Sequence, residues 1–217
     1  MMSDSAASRL IKMFEMISHV IEAERDHLSE LDGAIGDADH GITMSIGFLA
    51  VNAELAKCDT SQAHLADVMT TAASAFLNAV GASTGPLYAT GFRRAAQVLA
   101  GRDALDLAAC AALIQAIAGG IRERGKGQRG DKTMLDVWLP AADAATHAVA
   151  AGKSADAFWA GVIAAAENGA SATRSMVATK GRAARVGERS LGHVDPGAAS
   201  AVLIVRAMAQ ALEHPHN

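Results

Sequence analysis

The sequence contains few aromatic residues and few cysteines. Only 4% of its 217 residues are aromatic, against 51% that are hydrophobic, so the core must consist mainly of Ala, Leu, Ile, Val and Met. Small side chains in such numbers favour closely packed helices. The only two cysteines, Cys58 and Cys110, form no CxxC pair, so we expect reduced core thiols rather than a disulfide framework or a zinc site.

A basic stripe, a secretory leader and a long apolar run are also missing. The formal net charge of −4 and the isoelectric point near 6.0 argue against a nucleic-acid-binding protein. The N-terminal stretch MMSDSAASRLIKMFEMI has no basic segment followed by an apolar one. No stretch approaches the roughly 18 uninterrupted apolar residues of a transmembrane helix. We therefore expect a cytoplasmic protein that binds neither nucleic acid nor membrane.

Apolar residues recur at the spacing of α-helices along the whole chain, and no run of β-branched residues predicts a strand. The pattern predicts an all-α protein with helices at 5–29, 42–57, 62–80, 86–100, 104–124, 132–151, 154–178 and 198–213. Mostly short connections favour an antiparallel up-and-down bundle. No internal repeat or proline-rich linker divides the sequence, so we expect a single domain over residues 1–217.

Four connections are rich in Gly, Asp, Lys and Arg, namely 30–43, 81–86, 125–133 and 180–197. They follow the first, third, fifth and seventh predicted helices. Because alternate connections of an up-and-down bundle lie at the same end, these four are expected to share one mouth and to form a binding site. The longest, 180–197, is expected to be functional and to fold back through Val186 and Leu191, or else to be disordered.

The first of these connections crowds three carboxylates, Asp32, Asp37 and Asp39, among glycines. Carboxylates this close repel one another unless a cation neutralises them. Hard oxygen ligands select Mg²⁺ or Ca²⁺ over zinc. The EF-hand spacing does not fit, because His40 follows Asp39 and no Glu stands at the closing position. Magnesium shared with substrate phosphates fits an open loop, and a solvated acidic turn that caps the next helix is the simpler alternative.

The residues after the carboxylates would suit a phosphate. Backbone N–H groups at a helix start near His40 and Gly41, together with the hydroxyl of Thr43, favour anions. His40 could equally be a plain helix cap. The connection 81–86 contains small residues and hydroxyls, which allow a ligand close to the backbone or form a tight turn between helices.

The connection 125–133 superficially resembles a P-loop. We reject that reading, because Asp131 is inserted between the second glycine and Lys132-Thr133 and no strand precedes the segment. Its backbone and charges could still contact a phosphate or a ribose. Asp131 could equally cap a helix that begins at Lys132.

Taken together and in order, the motifs resemble the L subunit, or L domain, of dihydroxyacetone kinases. The match runs over nearly the whole chain through Leu31-Asp32, Ile35–Gly41, Gly85–Tyr88, Gly130–Asp136, Lys180–Ala183, Gly187–Ser190, Gly192-His193 and Asp195–Ala198. The chain departs from the family's usual Gly-Gly-Ala-Ser-Gly-Pro at Thr84. Thr43 stands where the family often has Asn.

The resemblance implies an eight-helix antiparallel barrel with ADP or ATP at one mouth. It implies that Asp32, Asp37 and Asp39 hold two magnesium ions that bridge the nucleotide phosphates, with no catalytic side chain beyond this metal–nucleotide site. The remaining nucleotide contacts would come from His40, Gly41, Ile42, Thr43, Ser83, Thr84, Gly125, Met134, Arg182, Asp195, Pro196 and Gly197.

The resemblance also implies partners. Family members act with a ketose-binding K subunit or domain, and in the branch linked to the phosphotransferase system an M subunit rephosphorylates bound ADP from a phosphohistidine. The leading hypothesis is this relay. The alternatives are an ATP-dependent kinase subunit for dihydroxyacetone or a related ketose such as erythrulose, and a non-catalytic module that binds nucleotide and a transcription regulator.

Overall fold

A computed structural model describes residues 5–60 and 62–213, and all regular structure in these ranges is helical. The predicted all-α class is therefore confirmed. The first four residues of the stretch inspected for a leader lie outside these ranges. The α-helices are α1 (Ala6–Ala23), α2 (Arg25–Gly33), α3 (His40–Leu55), α4 (Leu65–Ala79), α5 (Thr84–Leu99), α6 (Leu107–Gly125), α7 (Leu135–Ala150), α8 (Ala155–Ala172) and α9 (Pro196–Leu212).

The eight long helices form a closed ring. From α3 to α9 each helix packs against the next one in sequence, α1 packs against α3, and α9 returns to pack against α1. A side-chain hydrogen bond supports this closure, because Arg9 on α1 donates from Nη2 to the carbonyl oxygen of Leu212 at 2.9 Å. The short helix α2 lies outside the ring sequence and packs on α3. The antiparallel arrangement expected from the short connections is thus present, and it is closed into the barrel that the resemblance implies.

One continuous apolar core receives side chains from all nine α-helices of the described ranges. The few aromatic residues are concentrated in it. Phe48, Phe76, Tyr88 and Phe92 contact one another with ring centroids 5.1 to 6.4 Å apart, mostly edge to face. Trp138 joins them through Tyr88. The continuous core supports the single domain predicted over residues 1–217, which stays a prediction because the described ranges omit nine residues of it.

The first predicted helix, 5–29, is wrong as one continuous element. The chain turns at Glu24, whose ψ of 8° is not helical, and α2 continues as far as Gly33. The break allows α2 to fold onto α3, where the carbonyl of Arg25 lies so close to Gly41 that any Cβ there would overlap it. Asp32 consequently lies in the last turn of a helix rather than in a loop. The turn could not be predicted from the sequence, because neither a glycine nor a proline lies near Glu24.

Two other helix boundaries differ from the predicted ones, one at the start of a helix and one at the end. The predicted helix 132–151 begins at Leu135, since Lys132 has a left-handed backbone with φ of 59°. The predicted helix 154–178 ends at Ala172 and passes into a 3₁₀ turn, Thr173–Ser175. There the Thr173 hydroxyl donates to the Ala170 carbonyl at 2.6 Å, and the Thr173 carbonyl accepts from Lys132.

The long connection 180–197 is ordered around a second 3₁₀ segment, Ala183–Ser190. Val186 is half-buried, but Leu191 is exposed, so the expected fold-back through Leu191 is wrong. The buried anchor is instead Ser190, whose hydroxyl accepts from the Ala178 N–H at 2.9 Å and donates to the Gly187 carbonyl at 2.7 Å. Within the described residues no helix is long and apolar enough to cross a bilayer.

Two glycines of α8 make a matched test of the packing. Pro140 inside α7 has no N–H, so the Asp136 carbonyl lacks its usual helical partner, and α8 approaches that carbonyl at Gly169. Gly169→Ala should destabilise the protein by about 1 to 3 kcal/mol, because the new Cβ would overlap this oxygen. Gly161→Ala, which meets open space, should stabilise it by about 0.5 to 1 kcal/mol.

Urea denaturation, monitored by circular dichroism, measures the free energy of unfolding of each variant. Equal effects of the two substitutions would contradict the close approach of α8 to α7.

Candidate functional site

The four polar connections meet at one end of the barrel and enclose a cavity of about 430 Å³. Its wall takes residues from the α2–α3, α4–α5, α6–α7 and α8–α9 connections, as the alternation of helices predicted. We call this end the mouth. All of the expected site residues line the cavity except Gly41 and Ile42. A volume of this size is in the range that holds a cofactor-sized ligand.

Three carboxylates converge on one side of the cavity. Oxygen atoms of Asp32, Asp37 and Asp39 all lie within 4.8 Å of one another. Ala38 has a left-handed backbone with φ of 62°, which turns the chain sharply between Asp37 and Asp39 and so lets neighbouring carboxylates face the same way. Gly36 leaves room for the cluster, because a Cβ at this position would overlap Asp32 Oδ1. Burial and the charge of Asp32 raise the pKa of Asp39.

Asp32 also caps the start of α3. Its Oδ2 accepts hydrogen bonds from the backbone N–H of Asp39 at 3.0 Å and from that of His40 at 3.2 Å. These bonds fix the carboxylate while its other oxygen stays beside Gly36. The His40 N–H, expected to be available for a phosphate, is therefore already bonded in this structure. The alternative in which His40 itself caps the helix is wrong as well.

The His40 ring points into the barrel rather than acting as a cap. Its Nε2 lies 2.9 Å from the Ser200 Oγ on α9, which ties the start of α3 to the far side of the mouth. Burial lowers the pKa of His40 to about 4, against an opposing effect of Asp32. The imidazole is therefore neutral at neutral pH, and it adds no positive charge to the cavity.

Arg182 supplies the positive charge that the three carboxylates require. Its guanidinium pairs with Asp37 and, at 2.9 Å, with Asp39 Oδ2. A cation of the protein thus already stands against the acidic cluster. The converging oxygens, the stand-in cation and the adjoining cavity together fit a magnesium ion, which prefers oxygen ligands and keeps open positions for phosphate.

Lys132 holds two connections of the mouth together and was not among the expected site residues. Its side chain is fully buried, and Nζ donates to the carbonyl oxygens of Thr173 at 2.7 Å and His193 at 2.6 Å. Both partners belong to the α8–α9 connection. The sequence shows the lysine within a P-loop-like run, but it does not show that a left-handed backbone turns the side chain inward.

Asp131 does not cap a helix, contrary to the alternative considered from the sequence. Its Oδ2 accepts from the Gln128 N–H at 2.8 Å, and its Oδ1 accepts from the Thr179 hydroxyl at 2.8 Å. It therefore closes its own loop and attaches that loop to the α8–α9 connection. Asp136, in the first turn of α7, bonds back to the same loop, since it accepts from the N–H groups of Gly130 and Thr133.

Asp195 caps α9 from a fully buried position at the cavity. Its Oδ2 accepts from the Ala198 N–H at 2.8 Å, and its own N–H donates to the Thr173 hydroxyl at 3.0 Å. Burial raises the pKa of Asp195 to about 7, although the hydrogen bond to Ala198 and the charge of Lys132 lower it. Pro196 and Gly197 follow in the first turn of α9 and form the wall beside it.

The rest of the wall is largely apolar or small. Leu87, Ile121, Met134 and Leu135 contribute apolar surface, and Ser83, Thr84 and Gly125 stand at helix ends around the rim. Arg124 and Lys180, which were not among the expected nucleotide contacts, add positive charge. An apolar slot beside a charged cluster suits a ligand with a flat ring at one end and anionic groups at the other.

Gly41 and Ile42 follow His40 but do not line the cavity. Gly41 is buried against α2, where its missing side chain allows the contact with Arg25. The Ile42 side chain is exposed. Any contact that these two residues make with a ligand must come from the backbone at the start of α3.

The family model for the DAK2 domain matches residues 34–210 of this chain. The chain belongs to the DAK2 domain family. The matched segment contains Asp37, Asp39 and every other expected site residue except Asp32, which lies just before its start.

Two curated relatives resemble this chain over most of their own length. It is 34% identical over 204 residues to "PEP-dependent dihydroxyacetone kinase, ADP-binding subunit DhaL" of Escherichia coli, which covers 94% of this chain and 96% of that one. It is 35% identical over 194 residues to "PEP-dependent dihydroxyacetone kinase 2, ADP-binding subunit DhaL" of Listeria innocua, covering 89% of each.

A solved structure has the same fold. The crystal structure of the dihydroxyacetone kinase from C. freundii in complex with AMP-PNP and Mg²⁺ matches with a TM-score of 0.68 at 23% identity. The match covers 93% of this DAK2 domain and 33% of that chain, so this chain spans about a third of the larger kinase.

The raised pKa of Asp195 predicts a pH dependence of stability. The folded protein holds this proton more tightly than the unfolded chain, so the contribution is most favourable below about pH 4 and is lost as the pH rises through about 7. Asp195→Asn keeps an acceptor for the Ala198 N–H but carries no proton. When the pH rises from about 5 to about 7, the free energy of unfolding of the ligand-free wild type should fall by about 2 kcal/mol relative to that of this variant.

Urea unfolding at both pH values measures the difference. Asp103→Asn, at an exposed loop position, is the control and should follow the wild type. Parallel behaviour of Asp195→Asn and wild type would show that Asp195 does not titrate between about pH 5 and 7, contrary to the prediction.

Proposed function

We propose that this DAK2 domain is the nucleotide-binding subunit of a dihydroxyacetone kinase. It would transfer a phosphoryl group from a magnesium-bound nucleotide to dihydroxyacetone held on a separate K subunit. The observation that carries the proposal is the convergence of Asp32, Asp37 and Asp39 within 4.8 Å, beside a cavity at the open end of the barrel. The curated relatives, which are named as ADP-binding subunits of dihydroxyacetone kinases, support the same activity.

The three carboxylates would hold the magnesium, and we propose two ions as the family resemblance implies. Bound magnesium would join the phosphates to this cluster and offset the charge that develops during phosphoryl transfer. Metal held by these carboxylates would take over the charge compensation that Arg182 gives Asp37 and Asp39. The guanidinium of Arg182 can then pair with a phosphate, which suits its fork of donors.

The remaining wall would hold the rest of the nucleotide. Free backbone N–H groups of Gly41 and Ile42 and the hydroxyl of Thr43, at the start of α3, would meet phosphate oxygens. Ser83, Thr84, Gly125, Met134 and Asp195-Pro196-Gly197 would enclose the nucleoside. The apolar side chains beside Met134 offer a surface on which an adenine ring can pack.

We propose ADP as a retained coenzyme that an M subunit rephosphorylates from a phosphohistidine. The chain matches two ADP-binding subunits over 89 and 96% of their length. Both belong to kinases that are named as PEP-dependent. A subunit that takes its phosphoryl group from another protein needs no exchange of nucleotide with solvent. Free ATP as donor, erythrulose as acceptor and binding to a transcription regulator stay alternative predictions.

Asp37→Ala should abolish magnesium-dependent ADP binding while the helices stay folded. Loss of an outer-shell partner alone weakens a metal site by about 10- to 100-fold, so loss of a direct ligand should exceed about 100-fold. Folding should persist, because the substitution relieves repulsion within the cluster. Calorimetry with MgADP and circular dichroism provide the two readouts.

Asp103→Ala removes one exposed carboxylate elsewhere and serves as the matched control for charge. Unchanged MgADP affinity in Asp37→Ala would refute the metal site.

The donor is tested by mass spectrometry of gently purified protein under native conditions. The relay predicts that ADP remains bound after purification, and that stripped protein reloaded with ADP works only with the phosphohistidine-bearing partner. Full turnover of stripped protein with free ATP and the K subunit would exclude the relay and favour the ATP-dependent alternative.

A further inference from the structure

Exposed apolar side chains are concentrated beside the mouth. Ile42, Ile46 and Leu49 are 50%, 48% and 48% exposed, and their spacing of four and three residues places them on one face of α3. We call these three residues the α3 stripe. Among the described residues the other large exposed apolar side chains are isolated on other elements, at Val98, Val149, Val177 and Leu191.

The α3 stripe is not explained by packing within the barrel. The opposite face of α3 is already buried through Met44, Phe48 and Val51. A helix on the surface of a globular protein normally turns polar residues to solvent, so a helix that is apolar on both faces indicates a second contact. The stripe begins three residues after Asp39 and is therefore continuous with the metal-binding end of the mouth.

Positive charge lies on the segment that is paired with the start of α3. The 3₁₀ segment Ala183–Ser190 is attached to the start of α3 by the ion pair between Arg182 and Asp39. On that segment Arg185 and Arg189 are exposed, and neither guanidinium takes part in an ion pair among the described residues. Neither residue lines the cavity, so a bound nucleotide does not account for them.

Phosphoryl transfer to a substrate on another chain demands a contact at this place. The acceptor oxygen must approach the phosphorus to about 3 to 3.5 Å, so the acceptor-bearing chain must cover the mouth and touch its rim. This step rests on the proposed function. The α3 stripe begins at that rim, and the two arginines lie on a connection that contributes residues to it.

We infer that the α3 stripe, together with Arg185 and Arg189, docks the subunit that carries the ketose. The partner's complementary face is apolar where it meets the α3 stripe and acidic where it meets the arginines. The apolar contact contributes affinity, and the arginines contribute electrostatic steering during association. A second copy of this chain that placed the two arginines against their own counterparts would bring like charges together.

The double variant Ile46→Gln with Leu49→Gln tests the apolar part, because it keeps good helix formers and leaves the cavity residues intact. The matched control is Val98→Gln with Val149→Gln, at two similarly exposed apolar positions outside the surface. Titration with the purified K subunit encoded in the same genome should show at least about tenfold weaker binding for the test variant. The control should bind as the wild type does, and all three proteins should bind MgADP equally.

The double variant Arg185→Gln with Arg189→Gln tests the charged part. Association with the K subunit should slow, and its dependence on salt concentration should flatten relative to the wild type. Affinity for MgADP should again be unchanged, because neither arginine lines the cavity.

Wild-type affinity for the K subunit in the stripe variant would overturn the inference. The inference would also be overturned if sedimentation velocity showed that the wild type is a dimer and the stripe variant a monomer. A second copy of the chain would then be the occupant. A wild-type protein that binds MgADP but neither binds the K subunit nor transfers phosphate to dihydroxyacetone would instead refute the proposed function. The two failures are therefore distinguishable.

Discussion

Mutual repulsion of three carboxylates at the mouth is the constraint on which the local structure depends. Asp32, Asp37 and Asp39 can share one side of a cavity only if their charges are compensated. In this structure backbone N–H groups bond Asp32, and Arg182 pairs with the other two. The left-handed residue Ala38 keeps the cluster together at a cost in backbone energy. The guanidinium of Arg182 thus occupies the place where we propose that a divalent ion binds.

Buried polar contacts keep the connections of the mouth in fixed relation. Lys132, Thr173 and Asp195 form a continuous set in which the ammonium bonds two carbonyls of the α8–α9 connection, and the Thr173 hydroxyl accepts from the Asp195 backbone. Buried polar groups of this kind are costly unless they are bonded, so they specify one arrangement of the loops. Long connections that would otherwise be mobile therefore present their side chains at defined positions.

Much of this was accessible from the sequence, because helical periodicity and the alternation of connections depend only on local pattern. The trio Asp32, Asp37 and Asp39 and the shared mouth followed from that reasoning. The turn at Glu24 and the inward side chain of Lys132 did not, since both are decided by tertiary contacts that leave no trace in composition. The predicted start of α7 failed for the same reason, because a left-handed backbone at Lys132 ends helical geometry where the side-chain pattern continues.

The hydrogen bond between Arg9 and Leu212 fixes where any additional segment joins the molecule. α9 starts at the mouth and runs away from it, so the start of α1 and the end of α9 lie at the opposite end of the barrel. The 17 residues of α9 span about 25 Å. A tether from that end needs at least about eight extended residues to bring a fused domain alongside the opening. A fused domain on a shorter tether would therefore leave the cavity unobstructed.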